Sequence, residues 1–172
     1  MLSKNIETVL NKQIRIEAES SQVYLSMACW AEVQGLEGVA QFMYKQSDEE
    51  RMHMLKLVKY INERGGHAIV SDLKAPKTAF GTMREMFEEL YRHELFVSNS
   101  INELVHVTFE EKDYATHNFL QWYVAEQIEE EAQAKTILDK INLIGDDKGG
   151  LYLFDRDIQQ IAVNNSVGIN IN

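Results

Sequence analysis

The chain has 172 residues, a formal charge of −10 and 45% apolar content, which places it with folded acidic proteins rather than disordered ones. The acidic balance disfavours nucleic acid as a partner and suits attraction of cations as well as plain solubility. No apolar run approaches the roughly 20 residues a membrane span needs, no basic-then-apolar leader opens the chain, and the single cysteine, Cys29, rules out an internal disulfide, so a reducing, cytoplasmic setting is expected.

One proline and nine glycines predict long uninterrupted helices. The first helix is expected over residues 4–34. Ile6, Leu10, Gln13, Glu17, Ser20, Tyr24, Met27 and Ala31 follow the four-three rhythm of an inward stripe. Cys29 is expected as a small buried hydrophobe. Gly35 and Gly38 bracket a short turn, so the next helix is an antiparallel neighbour. The second helix, over 38–64, carries Val39, Met43, Gln46, Glu50, His53, Leu57 and Tyr60 on one face. It ends at Gly65-Gly66.

Residues 66–81 have no helical rhythm and hold Pro76. So long a connection inside a compact domain needs a reason. A crossover supplies one. Extended, it reaches roughly 50 Å, while a helix of the second helix's length spans only about 40 Å. The third helix can therefore start at the far end and run parallel to the second.

Thr82-Met83-Arg84-Glu85 matches a capping box. The third stripe is Met83, Phe87, Leu90, Glu94, Val97, Ile101, Leu104 and Thr108, with Glu94 a lone acid in an apolar seam. Glu110 to Asp113 is a polar break, with Asp113 as the expected N-cap of a fourth helix running to 144. Its stripe is Thr116, Leu120, Tyr123, Gln127, Glu130, Ala134, Ile137 and Ile141. Asp146 to Gly150 reads as a linker. A short fifth helix over 151–163 turns Phe154, Ile158 and Ile161 to one side and must pack on something. Residues 164–172 read as a tail. The whole is expected as one domain spanning 1–172.

Each long helix thus places one glutamate in its inward stripe: Glu17, Glu50, Glu94 and Glu130. Their levels agree. The midpoint of Glu94 and Glu130 falls at Lys112, inside the polar break. That of Glu17 and Glu50 falls between Val33 and Gln34, a mismatch of about one helical turn against the glycine turn. No Lys or Arg occurs on the four stripes. Four carboxylates in one dry site cannot all stay ionised unaided. Either most are protonated or a positive species is missing from the chain. Two divalent ions would balance the four charges. With His53 three residues after Glu50, the donor set is oxygen-rich with one imidazole, which suits iron or manganese better than zinc or copper. A Glu-x-x-His motif on each of two helices is the di-iron bundle plan. Here only Glu50-x-x-His53 meets it, and the fourth helix reads Gln127-x-x-Glu130.

A second acidic ring surrounds the first. Glu49 lies four residues from His53, and Glu126 four from Glu130, with Glu129 alongside. It reads as a solvated face or as a further cation site. Tyr24 shares the Glu17 face, as a core phenol bonded to a carboxylate or as a one-electron donor. Trp122 falls off the stripe and reads as packing. His67, His93, His106 and His117 share no ligand-like spacing with the acids.

In these features the chain resembles the bacterial non-haem ferritins over nearly its whole length. They are Glu17, Tyr24, Glu49-Glu50-x-x-His53, Glu94 after His93, the run from Asn118 to Gln127, and Glu129-Glu130-Glu131. The resemblance implies an all-α, up-down-down-up four-helix bundle with a short fifth helix. It implies iron storage with ferroxidase activity at two irons per subunit. Glu17, Glu50 and His53 would surround one iron, and Glu50, Glu94 and Glu130, with Gln127 nearby, the other. It further implies a third iron site from Glu49, Glu126, Glu129 and Glu130, with Tyr24 as a redox neighbour. The implied substrates are Fe(II) with dioxygen or hydrogen peroxide, in a cage of twenty-four subunits. Two relatives fit less well. Bacterioferritins carry a second Glu-x-x-His on the fourth helix, and their haem-ligating Met directly follows the first motif's Glu. Arg51 stands there instead, so haem is not expected. Rubrerythrins add a domain with paired cysteines. A di-iron oxygenase without a storage role, and a non-enzymatic helical interaction protein with protonated acids, stay open as alternatives.

Overall fold

The computed structural model describes the backbone of residues 1–165 and the side chains through residue 158. Five helices follow one another: α1 (Lys4–Val33), α2 (Glu37–Glu63), α3 (Met83–Glu110), α4 (Tyr114–Ile144) and α5 (Lys148–Asn165). Side-chain pairs give their directions. Tyr24 meets Glu94 and Gln13 meets Ser100, so α1 and α3 run in opposite senses. Gln46 meets Glu130, the Tyr123 hydroxyl meets the His53 carbonyl, and Tyr60 meets Thr116, so α2 and α4 do likewise. The bundle is up-down-down-up.

The crossover that allows this lies along α1. Asn11 exchanges hydrogen bonds with His67 and Ile69, Glu19 accepts from the Lys74 amide, and Ser26 donates to the Lys77 carbonyl. The connection climbs the bundle beside α1 and delivers α3 parallel to α2. Phe80 anchors its end, buried edge-on against Trp30.

The helices start where the caps demand. Ser3, Thr82 and Asp113 each accept a backbone N–H three residues on, at 3.1 Å, as N-cap side chains do. The N-cap of α2, Leu36, has no such side chain. Asp155 of α5 supplies the missing acceptor, taking the Val39 N–H at 2.9 Å. This close approach explains Gly38, where a Cβ would stand 1.7 Å from the Asp155 carbonyl oxygen.

Four expectations need correction. Cys29 is exposed, because it falls just past the buried Met27 and Ala28 and so rotates off the inward face. The second helix begins at Glu37 and contains Gly38. The expected linker Asp146–Gly150 is mostly helix. Asp147 accepts the Gly150 N–H at 2.6 Å, and a capped first turn tolerates two glycines. Within α5, Phe154 and Ile158 face inward. The side chain of Ile161 and residues 166–172 lie outside the described residues, and residues 164 and 165 continue the helix rather than starting a tail.

The core divides into two apolar clusters. One gathers Met27, Ala31, Met43, Met86, Phe87, Ile137 and Phe154 at the α5 end. The other gathers Ile6, Leu10, Leu57, Ile61, Ile101, Leu104 and Leu120 at the opposite end. Between them lies a polar belt, and the candidate site is in it.

Candidate metal centre

Glu50 and His53 share a face of α2 one turn apart. Glu17 reaches them from α1. The register is fixed next door by Ser21 and Ser47, buried residues that each donate to the other's backbone carbonyl at 2.7 and 2.8 Å. The midpoint of that pair is Gln34, close to the midpoint of Glu17 and Glu50. The mismatch expected from the glycines narrows because α2 starts before Gly38. Glu17, Glu50 and His53 offer three ligand atoms that all lie within 4.8 Å of one another. Their exposures are 1%, 1% and 6%.

Glu94 on α3 is as buried as Glu17. It accepts from the Tyr24 hydroxyl at 2.7 Å and from the Gln127 amide at 3.3 Å. Glu130 on α4 is half-buried and accepts from the Gln46 amide at 3.1 Å. Gln13 donates to Glu17 Oε1 at 2.9 Å. Three inward glutamines from three helices therefore each serve one acid. Gln13 and Gln46 stood in the inward stripes as plain polar members. Their role was invisible there because an amide carries no charge pattern, and Gln46 serves an acid on another helix.

Neutral donors orient carboxylates without cancelling their charge. Burial pushes the carboxyls of Glu17, Glu50 and Glu130 well above the ordinary range. Mutual repulsion adds to this: Glu50 acts on Glu17, and Glu94 acts on both Glu50 and Glu130. Glu94 is raised as well, by burial, against the pull of its two donors. Burial also holds the Tyr24 phenol protonated. Among the described residues none of the four acids has a Lys or Arg within ion-pair distance.

Two buried oxygens, Oε2 of Glu17 and Oε2 of Glu50, have no hydrogen-bond partner. Buried polar atoms are nearly always paired, and exceptions mark strain or an ion's place. His53 Nδ1 lies 3.6 Å from the Glu50 orphan. Carboxylate oxygens, one imidazole and no thiol fit a hard or borderline divalent cation.

The outer acids are looser. Glu126 Oε2 stands 3.9 Å from His53 Nε2. Glu49 pairs with Lys45 at 3.5 Å on a side chain 40% exposed. Glu49, Glu126 and Glu129 do not join the compact trio, and neither do Glu94 and Glu130. Glu49 and Glu126 nevertheless press on the charge of Glu130. Trp122 does more than fill space. Its ring meets the His53 ring edge-on at 5.2 Å, and Lys56 sits 3.5 Å above it. Together with Glu49, Met52 and Leu55 these side chains line a pocket of about 470 Å³ with His53 at its floor.

The family model for the ferritin-like domain matches residues 7–144. A probable bacterial non-heme ferritin-like protein of Haemophilus influenzae is 46% identical over 162 residues, covering 94% of this chain and 98% of the relative. The bacterial non-heme ferritin of Campylobacter jejuni is 44% identical, over 95% and 98% of the two chains. An open-pore ferritin from the archaeon Archaeoglobus fulgidus superposes with a TM-score of 0.91 at 42% identity, over 92% of this chain and 98% of that one. The chain therefore belongs to the ferritin-like family and groups there with the bacterial non-haem ferritins.

Proposed function

We propose that the protein stores iron and oxidises it as it does so. Fe(II) is the substrate. Two ions bind in the polar belt of each subunit, one against Glu17, Glu50 and His53, the other against Glu94 and Glu130, with Gln127 beside it. Glu50 stands between the two sets and bridges them; its charge interacts with Glu17 on one side and with Glu94 and Glu130 on the other. Each Fe(II) gives up one electron. A pair reduces dioxygen to hydrogen peroxide, or hydrogen peroxide to water, taking up two protons in either case. The protein holds the two ions at fixed separation and keeps Tyr24 bonded to Glu94, poised as a further one-electron donor. Glu126, Glu129, Glu130 and Glu49 offer weaker oxygens through which Fe(III) leaves or a third ion binds.

The observation that carries this reading is the pair of buried carboxylate oxygens without partners in a belt that holds no compensating cation. Storage needs an enclosed space, so a homo-oligomeric cage is part of the proposal, with twenty-four subunits as the resemblance implies. The cytoplasm is the setting that fits. Among the described residues no helix is long and apolar enough to cross a membrane.

The test is anaerobic Fe(II) titration followed by stopped-flow oxidation, with particle mass measured alongside. Two ions per chain at low loading, oxidised rapidly in a large assembly, is the expected result. The pocket over His53 favours a second reading, an oxygenase acting on a small apolar substrate. A small oligomer that oxidises two irons per chain but accumulates no mineral would select it.

A further inference from the structure

Gln13 is 1% exposed and both ends of its amide are engaged. Nε2 donates to Glu17 Oε1 at 2.9 Å, and Oε1 accepts from the Ser100 hydroxyl of α3 at 2.7 Å. This short chain joins two helices to one carboxylate. It occupies one oxygen of Glu17 and leaves the other, Oε2, buried without a partner, in a carboxylate that stands within ligand distance of Glu50 and His53. An amide turned the other way would set its oxygen against an ionised carboxylate, two acceptors with no proton between them. With a cation bound and Glu17 ionised, the carboxylate fixes which end of the amide it meets, and Ser100 satisfies the far end, which would otherwise be a buried acceptor left unpaired. We propose that Gln13, anchored by Ser100, is a positioning residue that presents Glu17 to the metal through Oε2 alone.

This inference rests on the metal reading above and sharpens it. A free glutamate side chain could chelate with both oxygens or swing out of reach. Glu17 tied at Oε1 offers one oxygen in one direction. Glu50 has no glutamine of its own among these donors, consistent with a carboxylate that must serve two ions. Outer partners of metal ligands hold rotamer and charge together, and removing one typically costs about 10–100-fold in affinity.

The experiment uses the assembled protein and Co(II) as a probe that binds without turnover. Anaerobic titration, read by calorimetry and by the visible d–d absorption of bound Co(II), gives the number of ions, their affinities and their ligand field. Gln13→Leu should weaken one of the two ions by about 10–100-fold, change its d–d band, and leave the other ion in place. Ser100→Ala should weaken the same ion by about 3–10-fold, the worth of one hydrogen bond. Ser100→Thr should restore it, since Ser100 lines an open groove of about 410 Å³ between α1 and α3 with room for a methyl group. Adding Ser100→Ala to Gln13→Leu should bring no further loss. Equal affinities and an unchanged band in Gln13→Leu would overturn the proposal, as would a full additional loss in the double variant. If Gln13→Leu fails to assemble, Ser100→Ala decides, and parent-like binding in that variant overturns the proposal. A parent protein that binds no Co(II) would instead remove the metal reading itself, so the two failures are distinct.

Discussion

The α1–α2 half of the polar belt and the α3–α4 half are built differently. Glu17 and Glu50 each keep a buried oxygen without a partner, beside an imidazole. Glu94 and Glu130 accept from Tyr24, Gln127 and Gln46, and Glu130 is open to partial solvation. A cation entering the first half meets two buried carboxylate oxygens that no N–H or hydroxyl group holds, and displaces at most the proton that Glu17 and Glu50 share when one of them is neutral. One entering the second half must share or break bonds to charged groups, each worth about 1.5–3 kcal/mol. On the proposed metal reading, the first half would be the tighter site and would fill first.

The largest effect should follow from breaking the tight half. His53→Ala removes its only nitrogen donor and the partner of both Glu50 and Glu126. Rapid Fe(II) oxidation should slow by more than about 100-fold, beyond the range typical of outer partners, with assembly intact by size-exclusion chromatography. Stopped-flow absorbance gives the rate. A variant that oxidises as fast as the parent would remove the distinction between the halves.

Glu130→Ala breaks the looser half. Anaerobic titration should then find one tight ion per chain in place of two, with oxidation slowed by about 10–100-fold. Loss of both ions together would mean that the halves act as one unit. The lever is smaller because Glu130 is partly solvated, and Glu126 already acts on its charge and could substitute in part.

Much of this was legible in the residues before any coordinates. The stripes of α1 and α3 are buried throughout, and Glu17, Glu50 and Glu94 point inward as their spacing requires. Helical period and the absence of lysine and arginine on those faces are local facts, and local facts can be read from order alone. What could not be read depends on pairs distant in sequence. The serine clasp between Ser21 and Ser47 sets the register. Asp155 caps α2 and explains Gly38. Gln46 serves Glu130. Each joins residues that sequence spacing does not relate. Cys29 was misjudged for another reason: composition favours burial of cysteine, but helix phase decides it. Glu130 keeps the right phase and is still half-buried, which helix period alone does not foretell.

Tyr24→Phe sharpens the comparison from within the looser half. The phenol is buried and donates to Glu94. Losing that donor removes support for ionised Glu94, so affinity for the second ion should fall by about 3–10-fold while the first is unchanged. Electron paramagnetic resonance during turnover adds a second readout. A tyrosyl signal present in the parent and absent in the variant would assign the one-electron role. The same signal in both would leave Tyr24 as a hydrogen-bond donor only.

The smallest effect is on the metal-free protein, and its sign is opposite to intuition. The carboxyls of Glu17, Glu50 and Glu130 are raised in the folded state, chiefly by burial. Above the ordinary carboxylate value of about 4.3 the unfolded chain has released these protons while the folded chain keeps them. Stability therefore falls as pH rises through that window, by about 1.4 kcal/mol per pH unit for each group until its folded pKa is passed. Glu50→Gln removes one such charge and keeps the side-chain shape. At pH 7 it should raise the melting temperature of the metal-free protein by a few degrees, at about 2–4 °C per kcal/mol. Near pH 4, where the parent carboxyl is already protonated, the advantage should vanish. Anaerobic Co(II) should then reverse the order, because an ion that binds only the folded state stabilises it more the more tightly it binds, and the variant lacks the acid proposed to bridge the two ions. Parent and variant with the same melting curves across this pH range, with and without metal, would mean that the tight half holds no strained charge. The case for a captured cation would then rest on the looser half alone, where every acid already has a donor.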